Sequence, residues 1–183
     1  MTALPPARRP EPPDSLVLLN TGNGKGKTTA AMGIVLRALA EEWPVCVVQF
    51  LKSEGWSSGE ERVLRRLGVT WVKGGDGFTW ESSDLGHSRR QAVATWVRAE
   101  EAIGSDRYRL VVLDEITLPI AFGWIDLERV VDSIRSRPKD VNVLATGRQA
   151  PEGLVAVADL VTNMVNVRHP FDQGTLARAG LDY

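Results

Sequence analysis

Cysteine is nearly missing from this 183-residue chain. Cys46 stands alone, which excludes an intramolecular disulfide and any zinc or iron–sulfur centre built on cysteines. Histidine is almost as scarce, and His87 and His169, far apart in sequence, read as structural rather than as ligands. Neither sign of charge prevails: 22 Lys and Arg against 23 Asp and Glu leave a formal net charge of −1. No global field therefore draws nucleic acid or an anionic membrane to the surface. No apolar run approaches the roughly 20 residues that span a bilayer, and the start of the chain lacks the apolar core of a secretory signal. The expected setting is the cytoplasm, without membrane or nucleic-acid partners. Also missing are an Asn-Lys-x-Asp guanine-reading segment and a Leu-Ser-Gly-Gly-Gln signature, which argues against a GTPase and a transporter ATPase.

Hydrophobic residues at 43% and charged residues at 25% suit an ordinary globular domain. Five of the ten prolines (Pro5, Pro6, Pro10, Pro12 and Pro13) crowd the first 14 residues. Residues 1–14 are accordingly expected to be a flexible tail, and residues 15–183 a single folded domain. Within that domain, short apolar runs at Leu16–Leu19, Val45–Phe50, Val69–Val72, Leu110–Leu113 and Val141–Ala145 read as buried strands covered on both faces, with a weaker sixth at Leu160–Val165. Amphipathic stretches at Thr28–Glu41, Gly59–Leu67, Ser88–Ile103 and Asp126–Arg135 read as helices, the last two capped by Ser88 and Asp126. Cys46, Trp71 and Trp96 are expected in the core. Alternation of this kind predicts a mostly parallel sheet with helices on both faces.

The first strand leads directly into Thr21-Gly22-Asn23-Gly24-Lys25-Gly26-Lys27-Thr28-Thr29 and then a helix. Glycines let a backbone turn sharply and bring its N–H groups to phosphate oxygens, and the helix N-terminus adds its own free donors. Lys27 supplies a mobile charge for phosphate, and the Thr28 hydroxyl suits Mg²⁺. In the pattern G-x-x-x-x-G-K-[ST], Gly26, Lys27 and Thr28 fit the end, but Thr21 replaces the first glycine. A nonstandard wrap of the triphosphate is therefore expected from Gly22, Asn23, Gly24, Lys25, Gly26, Lys27, Thr28 and Thr29. Asp114-Glu115 closes the fourth strand, at the end of the sheet where ligands collect. A carboxylate there beside Thr28 completes an oxygen-rich Mg²⁺ site. Together these features place the chain in the P-loop NTPase-like, RecA-like class of α/β fold.

Loops of this kind ordinarily serve NTP hydrolysis or phosphoryl transfer, so an ATPase or small-molecule kinase is the default activity. The Lys73–Glu81 stretch, with Phe78 and Trp80 among glycines, allows another activity: the two aromatics either pack into the core, as most do, or are exposed to meet a large, flat apolar partner. In order along the chain, Asn20–Thr29, Val48-Gln49-Phe50, Gly77-Phe78-Thr79-Trp80-Glu81, Val112–Glu115, Thr146-Gly147-Arg148 and Gly180–Tyr183 resemble the phosphate-loop type of ATP:corrinoid adenosyltransferase. The resemblance spans about Leu16 to Tyr183.

That resemblance implies attack by cobalt(I) of a reduced corrinoid on the 5′ carbon of ATP, with triphosphate leaving from a nucleotide bound in reversed direction. It implies ATP as co-substrate and Mg²⁺ held by Thr28 and Glu115, with Asp114 behind them. Lys27 would offset charge on the leaving group. Phe78 and Trp80 would lie under the corrin and displace its lower axial ligand, easing reduction to cobalt(I). Arg148 would meet phosphate or a corrin amide, and Gln49 the nucleotide or corrin. An electron-donating reductase such as a flavoprotein and a homodimer are implied as well. The chain departs from the family in lacking a clear amphipathic N-terminal helix, and in the absence of aromatics over Ile116–Ile120. A third reading is a nucleotide-gated module that carries corrinoid without chemistry.

Overall fold

The computed structural model describes residues 13–52, 55, 57–74 and 85–181. Among these, six strands form one sheet, every pairing in it parallel: β1 (Val17–Thr21), β2 (Val45–Phe50), β3 (Thr70–Gly74), β4 (Leu110–Asp114), β5 (Asn142–Thr146) and β6 (Leu160–Asn163). Their spatial order is β3-β2-β4-β5-β1-β6. The helices are α1 (Lys27–Ala40), α2 (Gly59–Arg66), α3 (Leu85–Gly104), α4 (Thr117–Ala121), α5 (Leu127–Arg135) and α6 (Glu152–Val157).

Alternation along the strands divides the core in two. Val45 and Val47 of β2, with Trp71, Leu110, Val112 and Leu144, face Met32, Val35 and Leu64 of α1 and α2. Cys46, Val48 and Phe50 point to the other layer, where Trp96 and Ile103 of α3, Ile134 of α5 and Leu154 of α6 cover them. Every residue of β2, β4 and β5 is buried, as expected of central parallel strands. Cys46, Trp71 and Trp96 lie in the core.

Three sequence expectations need correction. All four residues of β6 are exposed, because it is an edge strand; it ends at Asn163, not Val165. Ser88 does not cap α3. The helix begins at Leu85, and Ser88 is buried inside its first turns. The two short helices α4 and α6 went unseen. Pro119 sits in the first turn of α4, where no intrahelical N–H bond is lost. Asp126 does cap α5, its carboxylate accepting the Glu128 N–H at 3.2 Å. Ser58 caps α2 by accepting the Glu61 N–H, with glutamate at the third helical position.

Candidate nucleotide site at the carboxyl ends of the strands

The loops leaving β1, β2, β4 and β5 meet at one end of the sheet. Between β1 and α1, the chain takes left-handed backbone at Gly22 (φ 98°) and Gly26 (φ 111°). Gly26 also stands at the N-cap of α1. Among the described residues no side chain caps this helix, and no acidic residue lies in its first turn, which leaves its leading N–H groups and positive dipole end for an anion.

Two glycines of the loop have a second reason to be glycine. A Cβ on Gly22 would lie 2.3 Å from Asn163 Oδ1 and 2.4 Å from the Met164 carbonyl. One on Gly24 would lie 2.7 Å from the Val165 carbonyl, although its φ is ordinary. The Gly24 N–H donates to the Met164 carbonyl at 2.7 Å, and the Met164 N–H to Thr21 at 2.8 Å. The segment after β6 thus braces the loop from behind. No local pattern in the sequence reveals this, since the contact joins residues some 140 positions apart.

Lys27 is buried, and its ammonium donates to the carbonyls of Gly22 and Gly24, both at 2.8 Å. Burial lowers its pKa and the Arg148 charge adds to that, while Glu115 and Asp114 pull the other way. The Lys27 carbonyl accepts from the Asn20 amide at 3.2 Å, tying the helix start to β1. Thr28 donates its hydroxyl to Asp114 Oδ1 at 2.8 Å. Asp114 is fully buried and accepts twice more, from Thr146 Oγ1 on Oδ1 and from Gln49 Nε2 on Oδ2, each at 2.8 Å. The carboxylate touching Thr28 is thus Asp114. Glu115, half-buried beside it, instead lines a cavity of about 440 Å³ with Asn23, Lys52, Thr117, Arg148 and Gln149. Burial and the neighbouring Asp114 charge push the Glu115 carboxyl above the usual carboxylate range, against the pull of Lys27, Lys52 and Arg148.

Of four non-glycine residues in left-handed backbone among the described residues, three, Leu51 (φ 58°), Glu115 (φ 62°) and Gln149 (φ 49°), line this cavity; the fourth is Glu42 after α1. Such conformations cost about 1–3 kcal/mol each and gather where function demands a particular side-chain direction. A second cavity, of about 670 Å³, lies between the loop and the segment after β6, lined by Gly22, Met164 and Val165 among others; Asn23 and Gln149 border both.

Of the predicted site residues, the structure brings Asn23, Lys27, Thr28, Asp114, Glu115 and Arg148 together. Lys25 and Thr29 are exposed and line neither cavity. Phe78 and Trp80 lie outside the described residues. Gln49 is buried with its amide committed to Asp114, while its Oε1 has no hydrogen-bond partner among the described residues. Thr117 is likewise buried, its hydroxyl unpartnered among the described residues, and nothing in the local sequence marks it. His169 is structural, its Nδ1 accepting the Phe171 N–H at the start of a one-turn 3-10 helix (Pro170–Gln173).

The donor chemistry fits a magnesium ion. Among the described residues no group of three or more His, Cys, Asp or Glu gathers to cage a metal. Two adjacent carboxylates and the Thr28 hydroxyl instead suit a hard cation that keeps water and phosphate oxygens as its other ligands. Burial, and after it the Asp114 charge, raise Glu115, and a bound cation would offset both.

Parallel sheet, glycine loop, uncapped helix and a threonine bound to a strand-end aspartate define a P-loop nucleotide-binding protein of the α/β class. A solved relative in fold is the flagellar accessory protein FlaH of Methanocaldococcus jannaschii, with a TM-score of 0.53 and 11% identity over 83% of this chain and 71% of that one. Residues 14–183 match the model of the family described as ATP:corrinoid adenosyltransferase BtuR/CobO/CobP. The corrinoid adenosyltransferase of Pseudomonas aeruginosa is 39% identical over 170 residues, covering 92% of this chain and 83% of that one. Those of a Sinorhizobium species (37%; 92% and 80% covered) and Salmonella typhimurium (36%; 92% and 85% covered) are close behind. The chain belongs to the ATP:corrinoid adenosyltransferase family.

Proposed function

We propose that the protein transfers the 5′-deoxyadenosyl group of ATP to cobalt(I) of a reduced corrinoid, releasing triphosphate. The cobalt(I) electron pair forms the bond to C5′, the C5′–O bond breaks, and its electron pair departs on the triphosphate. No proton moves in this step, so no general base is assigned. The observation that carries the reading is a phosphate loop whose Thr28 is hydrogen-bonded to Asp114, next in sequence to the Glu115 that lines a cavity with Asn23 and Arg148, in a chain of this family.

Under this reading the 22–28 loop and the free N–H groups of α1 bind the triphosphate, and Lys27 and Arg148 offset the charge that grows on it as it leaves. Thr28 and Glu115 would hold Mg²⁺, which adds positive charge at the same place; Asp114 fixes Thr28 from beneath. Phe78 and Trp80 are assigned, by resemblance, to the face below the corrin, where they displace the lower axial ligand and exclude water. A flavoprotein-type reductase, a homodimer and a cytoplasmic setting belong to the same proposal. Among the described residues no helix is long and apolar enough to cross a membrane.

The test is an anaerobic mixture of the protein, MgATP and chemically reduced cob(I)alamin, followed by visible spectroscopy. Conversion to a light-sensitive alkylcobalt spectrum is expected. An unchanged cobalt(I) spectrum under conditions where ATP binds would contradict the assignment.

A further inference from the structure

Thr146 ends β5 and is fully buried, and it lines neither cavity. Its hydroxyl nevertheless joins the two acidic residues of the site. Oγ1 accepts the Glu115 backbone N–H at 3.0 Å and donates to Asp114 Oδ1 at 2.8 Å, the same oxygen that accepts from Thr28. A threonine hydroxyl has one hydrogen to give, so the direction of the chain is fixed: Glu115 amide to Thr146, Thr146 to Asp114.

The backbone explains why this bond matters. The parallel ladder between β4 and β5 runs to Leu113↔Ala145 and stops. One residue further the Thr146 side chain takes the Glu115 amide. Released from the ladder, Glu115 turns into left-handed backbone at φ 62°, a conformation unfavourable for a residue with a Cβ. Gly147, the residue after Thr146, at φ 149°, is pressed against Thr117: a Cβ there would lie 2.0 Å from the Thr117 hydroxyl. Glu115 is therefore bracketed, held by Thr146 at its own amide and followed closely by a fixed α4.

We infer that Thr146 is a positioning residue: its hydroxyl holds Glu115 in the left-handed turn that aims the carboxylate into the cavity, and couples that turn through Asp114 to Thr28. It touches no substrate. Its influence falls on the triphosphate end of the reaction, where Glu115 and Thr28 act, and not on corrinoid binding. This assignment rests on the proposed function for its kinetic consequence, but not for its structural one.

Thr146→Val keeps the shape and removes the hydroxyl; Thr146→Ser keeps the hydroxyl. In the ligand-free protein, the Glu115 amide should exchange its hydrogen with solvent roughly tenfold faster in the valine variant and near the wild-type rate in the serine variant, the effect of losing one such bond. In turnover assays, kcat/KM for MgATP should fall roughly tenfold to a hundredfold in Thr146→Val, with a higher magnesium requirement and an unchanged KM for reduced corrinoid. Thr146→Ser should restore most of this. The inference is overturned by unchanged Glu115 exchange in Thr146→Val, by a serine variant as impaired as valine, or by equal loss toward both substrates. A wild-type chain that failed to turn over would count against the adenosyltransferase reading alone, and the exchange comparison would still decide the role of Thr146.

Discussion

Lys27 spends its ammonium on two carbonyls of the loop it follows, which makes it a structural clasp as well as a phosphate ligand. Thermal stability should register the clasp modestly and turnover should register the charge strongly. Lys27→Ala is expected to keep the fold, judged by circular dichroism, while cutting turnover at least about a hundredfold, the usual scale for losing a charged group aimed at developing negative charge. Near-normal turnover would remove Lys27 from the mechanism. Trp80 supplies a second test at this scale. Trp80→Ala should impair the reaction severely when corrinoid enters as cobalt(II) and far less when it is pre-reduced to cobalt(I). Equal losses would mean that Trp80 does not remove the axial ligand. The residue types of the loop were legible because their chemistry is local: Gly26-Lys27-Thr28 after a strand carries its meaning in the chain itself. Thr146 and Thr117 were not, since a buried hydroxyl gains its role only from what the fold sets against it.

Elements bring those residues together through contacts of two kinds, apolar layers and a few buried polar ties. The central strands are covered on both faces and so carry short continuous apolar runs, which is why β2, β4 and β5 could be read almost to the residue. The edges could not. β6 carries the same apolar residue types as the central strands but, among the described residues, has no strand beyond it and all four of its residues are exposed. At the opposite edge, α2 is tied to β3 by Glu61, whose carboxylate meets Lys73 in a pair only 5% exposed on either side chain and also accepts from Arg65 at 3.0 Å. Burial alone would raise the Glu61 pKa, but Lys73 and Arg65 outweigh it and the net shift is downward. A depressed carboxylate stabilises the fold above its unfolded value of 4.5 and loses that contribution as the pH falls through its lower folded value. Glu61→Gln, which removes the acidic member of this buried pair, should cost about 3 kcal/mol near neutral pH in denaturant titrations, and the gap to wild type should close under acid. A difference independent of pH would assign Glu61 to packing only.

The brace behind the phosphate loop belongs to this scale too. Gly24→Ala forces a methyl group against the Val165 and Met164 carbonyls, so either the loop or the segment after β6 must move. The expected result is ATP binding weakened roughly tenfold by calorimetry with a loss of about 1–3 kcal/mol in stability. Unchanged ATP affinity would show that the brace and the binding geometry are independent.

At the scale of the whole molecule, the sheet order places the ends of β1, β2, β4 and β5 around one crevice, and the sequence could announce the class of fold but not that order. Strand order depends on which faces find each other after collapse, and only the handedness and length of connections constrain it from the chain alone. The crevice answers the default reading of any phosphate loop, in which the terminal phosphoryl group is transferred and ADP remains. Here the loop is proposed to hold the entire triphosphate as a leaving group. The most direct measurement is therefore the fate of ATP, followed by phosphorus NMR during anaerobic turnover with cob(I)alamin. Free triphosphate should appear in one-to-one proportion with the cobalt–carbon bond, with no ADP. ADP and inorganic phosphate in its place, forming whether or not reduced corrinoid is present, would contradict the account at its centre.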